Sequence, residues 1–178
     1  VVLLSEVRAE EKGVVWLGQD EEAVVVVHAE RAAVMLRGET LKAWSDGGMQ
    51  KKWDERTVSV RVKDVVLVST YQPVWGGGNG VQVEEEKEIL EEHVRWAKME
   101  ELLVVGGDFN EHVGQGERRR GVCGKFGLRQ TNHQGRELLE WCQRAGLVYA
   151  NSYFQHENRG TWWSNLNRKW YELDGFLM

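Results

Sequence analysis

The sequence is short of the residues that staple or stiffen a chain: one proline and two cysteines among 178 residues. Cys123 and Cys142 are too few and too unpatterned for a disulfide framework or a cysteine-based zinc site, and they suit a reducing compartment. No apolar run approaches the ~20 residues that a membrane-spanning helix needs. The opening Val1-Val2-Leu3-Leu4 reads as a strand already under way rather than as a targeting segment. The expected setting is therefore intracellular, nuclear or cytoplasmic, not secreted, with no membrane partner. Cations are also outnumbered, 23 against 28 acids for a net charge of −5. That balance argues against indiscriminate coating of nucleic acid.

What the chain does contain is unevenly placed. Residues 1–110 hold 13 basic and 21 acidic side chains, whereas residues 111–178 hold 10 and 7, so a local basic surface for phosphates remains open. Hydrophobic residues at 42% and charged residues at 29% are the proportions of a globular protein, and the length supports one domain with a sizeable core. Nine tryptophans are many for this length; most are expected in packing or at rims, a minority free to stack on a substrate.

Short β-prone runs dominate the first half: Val1–Leu4, Val14–Leu17, Ala23–Val27 and residues 31–37, the third central in its sheet. Segment 38–55, with Gly47-Gly48 and aperiodic Trp44 and Trp53, reads as irregular. Val58, Val60 and Val62 alternate with polar residues, Lys63-Asp64 makes a tight turn, and Val65–Val68 returns, which predicts a hairpin. Pro73 stops the returning strand. Trp75 and the Gly76–Gly80 run follow as a loop, mobile by composition. Leu90, Val94 and Ala97 give a helical stripe over 83–101, with Glu91 and Arg95 as an i,i+4 pair. Leu102–Val105 reads as a fully buried strand. Residues 111–130 form a long loop holding Arg118-Arg119-Arg120. A helix over 131–145 has a Thr131/Gln134 capping box, Leu138, Leu139, Cys142 and Ala145 inward, and Gly146 at its stop. Leu147–Ala150 is expected as a strand, and residues 170–178 as another. Strands with inserted helices predict a layered α/β fold, and the hairpin favours mixed or antiparallel sheets over an all-parallel one.

The stretch Gly106-Gly107-Asp108-Phe109-Asn110 carries the strongest chemical signal. Two glycines permit a turn or a close approach, and an acid and an amide two apart at a strand exit can face one pocket. The same residues also suit a plain turn. Glu6, Asp108 and Asp174 each follow or lie within a β-like run, so three strand-end carboxylates could converge. Magnesium suits one or two carboxylates plus water and a substrate phosphate. Tyr71 and Asn110 could donate hydrogen bonds to a phosphate or a leaving oxygen. His112 is the histidine nearest this stretch and could help bind a metal or phosphate, although a lone loop histidine is more often just solvated; the Arg118–Arg120 triplet is a candidate phosphate contact, with a solvated loop an equal reading.

These residues resemble the endonuclease/exonuclease/phosphatase superfamily. Gly106–Asn110 is similar to its G-D-F-N signature, Leu4-Ser5-Glu6 to its L-Q-E motif, Tyr71-Gln72-Pro73 to Y-x-P, and Thr161-Trp162-Trp163 with Leu173-Asp174 to the T-W…I-D-Y region. Order and spacing match over nearly the whole chain. Asp108–Gly114, Thr131–Gly135 and Leu138-Leu139 look most like endonucleases of non-LTR retrotransposons and the craniofacial-development-protein-2-like group. The resemblance implies a four-layer sandwich of two mixed β-sheets flanked by helices. It implies cleavage of a phosphodiester, with DNA as substrate, dependent on magnesium or manganese. Glu6 would hold the metal, Asp108 would orient or activate the water, Asn110 and Tyr71 would contact the phosphate, and Asp174 would orient a histidine.

Departures accompany the likeness. The histidine belongs to an S-D-H motif beyond I-D-Y, and residues 1–178 stop before it; the family's first strand is absent too. The whole chain is thus expected to be a single domain, truncated at both ends. Ser5 replaces Gln, Val74 replaces an Asn found in some members, and Gly175 replaces Tyr. Loss of a general base costs about 10²–10⁴-fold, so these residues alone are expected to be weak or inactive. A non-catalytic binding domain and a phosphatase acting on small phosphoesters are the competing expectations.

Overall fold

The computed structural model describes residues 1–74, 80–115 and 119–178. Trp75 to Asn79 of the glycine-rich loop, and Arg118 of the arginine triplet, lie outside the described residues.

Eleven strands and three α-helices are described, in the order β1 (Val2–Ser5), β2 (Gly13–Leu17), β3 (Val24–His28), β4 (Ala32–Arg37), α1 (Glu39–Asp46), β5 (Lys51–Trp53), β6 (Thr57–Val62), β7 (Val65–Tyr71), α2 (Gly80–Arg95), β8 (Leu102–Asp108), α3 (His133–Ala145), β9 (Trp162–Ser164), β10 (Lys169–Tyr171) and β11 (Asp174–Leu177). One sheet is antiparallel throughout, β1-β4-β3-β2. The other, β11-β8-β7-β6-β5, is mixed, with β7 and β8 its parallel pair. β9 and β10 form a separate two-stranded ribbon. The fold is the expected α/β sandwich of two sheets.

The sheets meet face to face over Val25, Val27, Val34, Leu36, Val58 and Val60, all fully buried. These valines are β-branched and stiff, which suits a pleated interface. α1 closes this core at one side by inserting Leu41 and Trp44. A second core lies on the other face of the mixed sheet, where Leu90 of α2 and Leu138, Leu139 and Cys142 of α3 pack on Val66, Val68 and Val105. Both cysteines are buried.

The hairpin stands as expected: Val62 pairs Val65 across Lys63-Asp64, and Lys63 takes a φ of 56° to make the turn. β3 is internal to its sheet. Gly146 ends α3 in the left-handed region, φ 70°. Other expectations are corrected. Segment 38–55 holds α1 and β5. α2 ends at Arg95, short of 101, although Glu91 and Arg95 do pair at 3.0 Å. α3 begins at His133, capped by Asn132 accepting from the Gly135 N–H at 2.7 Å, not by Thr131. Leu102 is half exposed, so β8 is buried only at its far end. Leu147–Ala150 is no strand; Tyr149 makes isolated bridges to Cys123 and Leu177 before a 3₁₀ turn. The C-terminal run breaks into β10 and β11 at Glu172-Leu173.

Candidate active site

Three of the five residues singled out above sit side by side on neighbouring strands. Asp108, at the end of β8, pairs in register with Tyr71 of β7 on one side and Asp174 of β11 on the other. The pairing continues past the strand ends: the Gln72 N–H donates to the Asp108 carbonyl at 2.8 Å, and the Phe109 N–H to the Leu173 carbonyl at 3.0 Å.

The two glycines before Asp108 permit this by close approach. A side chain at Gly106 would begin 2.7 Å from Leu3 Cδ1 and from the Phe176 ring, and one at Gly107 would collide with the Thr70 backbone. Leu3 belongs to β1 of the other sheet, so Gly106 lets β1 lie directly over β8. The Ser69 hydroxyl then donates to the Leu4 carbonyl at 2.8 Å, fixing the end of β1 against β7. Glu6 follows two residues later, turned out of the strand at a φ of 56°.

Electrostatics register the convergence. The Asp108 carboxyl is pushed up to about 6, first by burial and then by the negative charges of Asp174 and Glu6; the Asn110 N–H, donating to Asp108 Oδ1 at 2.8 Å, opposes the rise. Asn110 has a φ of 50°, and its side-chain amide donates to the Gln72 carbonyl at 2.7 Å. All five predicted residues, Glu6, Tyr71, Asp108, Asn110 and Asp174, are therefore placed around one edge of the sandwich. Among the described residues, no group of three or more His, Cys, Asp or Glu side chains is close enough to hold a metal ion. A magnesium site of one or two carboxylates does not require such a group.

β11 is pinned by side chains beyond its ladder. The Thr161 hydroxyl accepts from the Leu173 and Asp174 N–H groups at 2.9 and 3.2 Å. Asn151 accepts from the Phe176 N–H at 2.9 Å and donates to the Asp174 carbonyl at 3.3 Å. Behind it, Arg159 grips Glu172 through two 3.0 Å contacts, both side chains buried. Gly175 has a steric reason: a side chain there would meet the Tyr149 ring at 2.9 Å.

Other candidates fall elsewhere. His112 is buried, its Nδ1 facing the Glu172 backbone and its ring edge-on to Tyr171 at 5.5 Å. Arg119 pairs with Glu140 of α3 at 3.0 Å, and Arg120 is exposed. His93, which has no ligand spacing in the sequence, lies between Ser59 at 2.5 Å and Asp54 at 2.8 Å. Ser59 and His93 are fully buried, and Asp54 at the outer end of this chain of hydrogen bonds is 35% exposed. Sequence reasoning missed Arg56. Its guanidinium lies 5.9 Å from the centre of the Tyr71 ring, and Glu86 holds it at 3.3 Å. The pairing of 56 with 71 is readable only once the hairpin register is known.

No helix among the described residues is long and apolar enough to cross a membrane. No family model matches the chain. Part of it resembles craniofacial development protein 2: 32% identity to the Bos taurus protein over 117 residues, 62% of this chain and 19% of that protein. The Tragulus javanicus protein of the same name is 41% identical over 66 residues, 36% of this chain and 11% of that one. The matched segments thus span a fifth or less of these relatives. The chain is, over a segment of its length, a homologue of proteins named craniofacial development protein 2.

Proposed function

We propose that the chain is an endonuclease/exonuclease/phosphatase-type domain of retrotransposon descent, built for metal-dependent hydrolysis of a DNA phosphodiester. One observation carries the reading: Tyr71, Asp108 and Asp174 lie in register on three adjacent strands, with Glu6 acting electrostatically on Asp108.

The donor set fits a hard divalent cation. Burial strips Asp108 of water while Glu6 and Asp174 press negative charge on it, and a cation held by Glu6 would relieve that repulsion. Bound magnesium would neutralise phosphate charge and acidify a water. The side chains account for the rest. Asp108, its carboxyl pushed up chiefly by burial, would take a proton from the attacking water. The water oxygen bonds to phosphorus, the bond to the leaving oxygen breaks, and that oxygen gains a proton. Tyr71 and Asn110 would donate hydrogen bonds to phosphate oxygens. Asp174 is the carboxylate that would orient a histidine.

The test is nicking of supercoiled plasmid with magnesium by the longest protein encoded around these residues, beside its Asp108→Ala variant. Loss of about 10²-fold or more in the variant is expected. Equal nicking by both would contradict the role of Asp108. Hydrolysis of small phosphate esters without nicking would keep the site and change its substrate.

A further inference from the structure

α2 sends one buried glutamate toward the strand end that carries Tyr71. Glu86 lies in the second turn of the helix, between the exposed Glu85 and the half-buried Lys87. Its Oε1 stands 3.3 Å from Arg56 Nε, and the two side chains are only 8% and 14% exposed. Arg56 immediately precedes β6 and meets Tyr71 twice. Its carbonyl accepts from the Tyr71 N–H at 2.9 Å, and its guanidinium carbon lies 5.9 Å from the centre of the Tyr71 ring. Tyr71 in turn pairs in register with Asp108. A chain of contacts therefore runs from α2, through Arg56, to a residue of the proposed site.

An ion pair between a helix and a strand end is ordinarily a packing device, and three features set this one apart. Packing alone would be served as well by apolar groups, because a buried ion pair is often no more stabilising than they are. Here burial pushes the Glu86 carboxyl up, with Arg56 opposing the rise, and Glu86 Oε2 is left without a hydrogen-bond partner. Second, Arg56 has a competing partner: the half-exposed Glu55 places Oε1 3.8 Å from its Nη2. Glu86 therefore decides where the guanidinium sits. Third, the residue held is an arginine, whose flat head stacks on an aromatic ring in a way that an ammonium does not.

We propose that Glu86 is a positioning residue of the site: it holds Arg56 beside the Tyr71 ring, and Arg56 fixes the attitude in which Tyr71 meets the phosphate. The inference rests on the reading of Tyr71 as a phosphate contact. Glu86 itself touches no reacting atom and acts through two other side chains. Such indirect support matters because a group displaced by about 1 Å can lose about 10²-fold in rate.

The test is the kinetics of magnesium-dependent nicking by the longest protein encoded around these residues, with Glu86→Gln in two backgrounds. Alone, Glu86→Gln should lower kcat about tenfold and leave KM within about twofold. With Tyr71→Phe already present, the same change should cost nothing further. Full kcat in Glu86→Gln, or equal loss in both backgrounds, would overturn the proposal. A second readout needs no activity: NMR of ring-13C-labelled tyrosine. The chain has four tyrosines, and Tyr71→Phe identifies the Tyr71 signal. Glu86→Gln, and Arg56→Lys with its charge kept but its plane lost, should each shift that signal and leave that of the exposed Tyr153 in place. A Tyr71 signal unmoved by both changes would overturn the proposal whether or not the chain cleaves DNA. Absence of nicking in the unmodified protein would contradict the function proposed above, not the Tyr71 contact, which the NMR signal reports by itself.

Discussion

Asp108, as the proposed base, meets two opposing demands. A base that works near neutral pH must hold its proton more tightly than a surface carboxylate, and burial beside Glu6 and Asp174 does that at a cost to stability. The sign follows from linkage. Between its ordinary 3.8 and the folded value of about 6, the unfolded chain has lost this proton while the folded chain keeps it. Stability from this group is therefore greatest at low pH, falls as pH rises through that window, and stays reduced above it. Asp108→Asn should stabilise the fold at pH 8 by about 1–3 kcal/mol and do little at pH 4, measured by urea unfolding. Gly107→Ala is expected to cost more than about 3 kcal/mol, because the added carbon meets the Thr70 backbone, which cannot rotate away. At this scale much was legible: acids at strand ends and a glycine pair are marks a sequence carries openly. Glu86 was not, since one glutamate letter does not disclose that Arg56 and Tyr71 meet it from a hairpin earlier in the chain.

Elements were legible where their own periodicity sufficed. β6 alternates Val58, Val60 and Val62 with polar residues, and the hairpin this predicts came out with Val62 paired to Val65. α1 was unreadable because only Leu41 and Trp44 are buried and glycines flank it at 38 and 47. Its stability comes from Trp44 entering the inter-sheet core, a tertiary effect that overrides weak local signals. β11 is the inverse case: four residues long, paired on one side by β8, and dependent on Asn151, Thr161 and the Arg159–Glu172 pair. Breaking a buried ion pair leaves an uncompensated charge. Arg159→Ala should cost about 3–5 kcal/mol in thermal or urea unfolding and speed hydrogen exchange at the Phe176 amide. Unchanged exchange there would show that β11 is held by its ladder alone.

At the scale of the whole molecule, the site belongs to neither sheet. β1 of the antiparallel sheet lies over β8 of the mixed one, and this crossing brings Glu6 into the field of Asp108. Motif order indicated that these residues belonged together, but no spacing along the chain could show Glu6 and Asp174 meeting at one edge. The account therefore stands on whether that edge takes a divalent cation. Calorimetric titration of magnesium, repeated with manganese, measures this directly on the unmodified chain and on Glu6→Gln. One saturable site is predicted in the unmodified chain and none in Glu6→Gln, with thermal unfolding of the two apoproteins alike. No binding to the unmodified chain, or the same isotherm in both, would contradict the account.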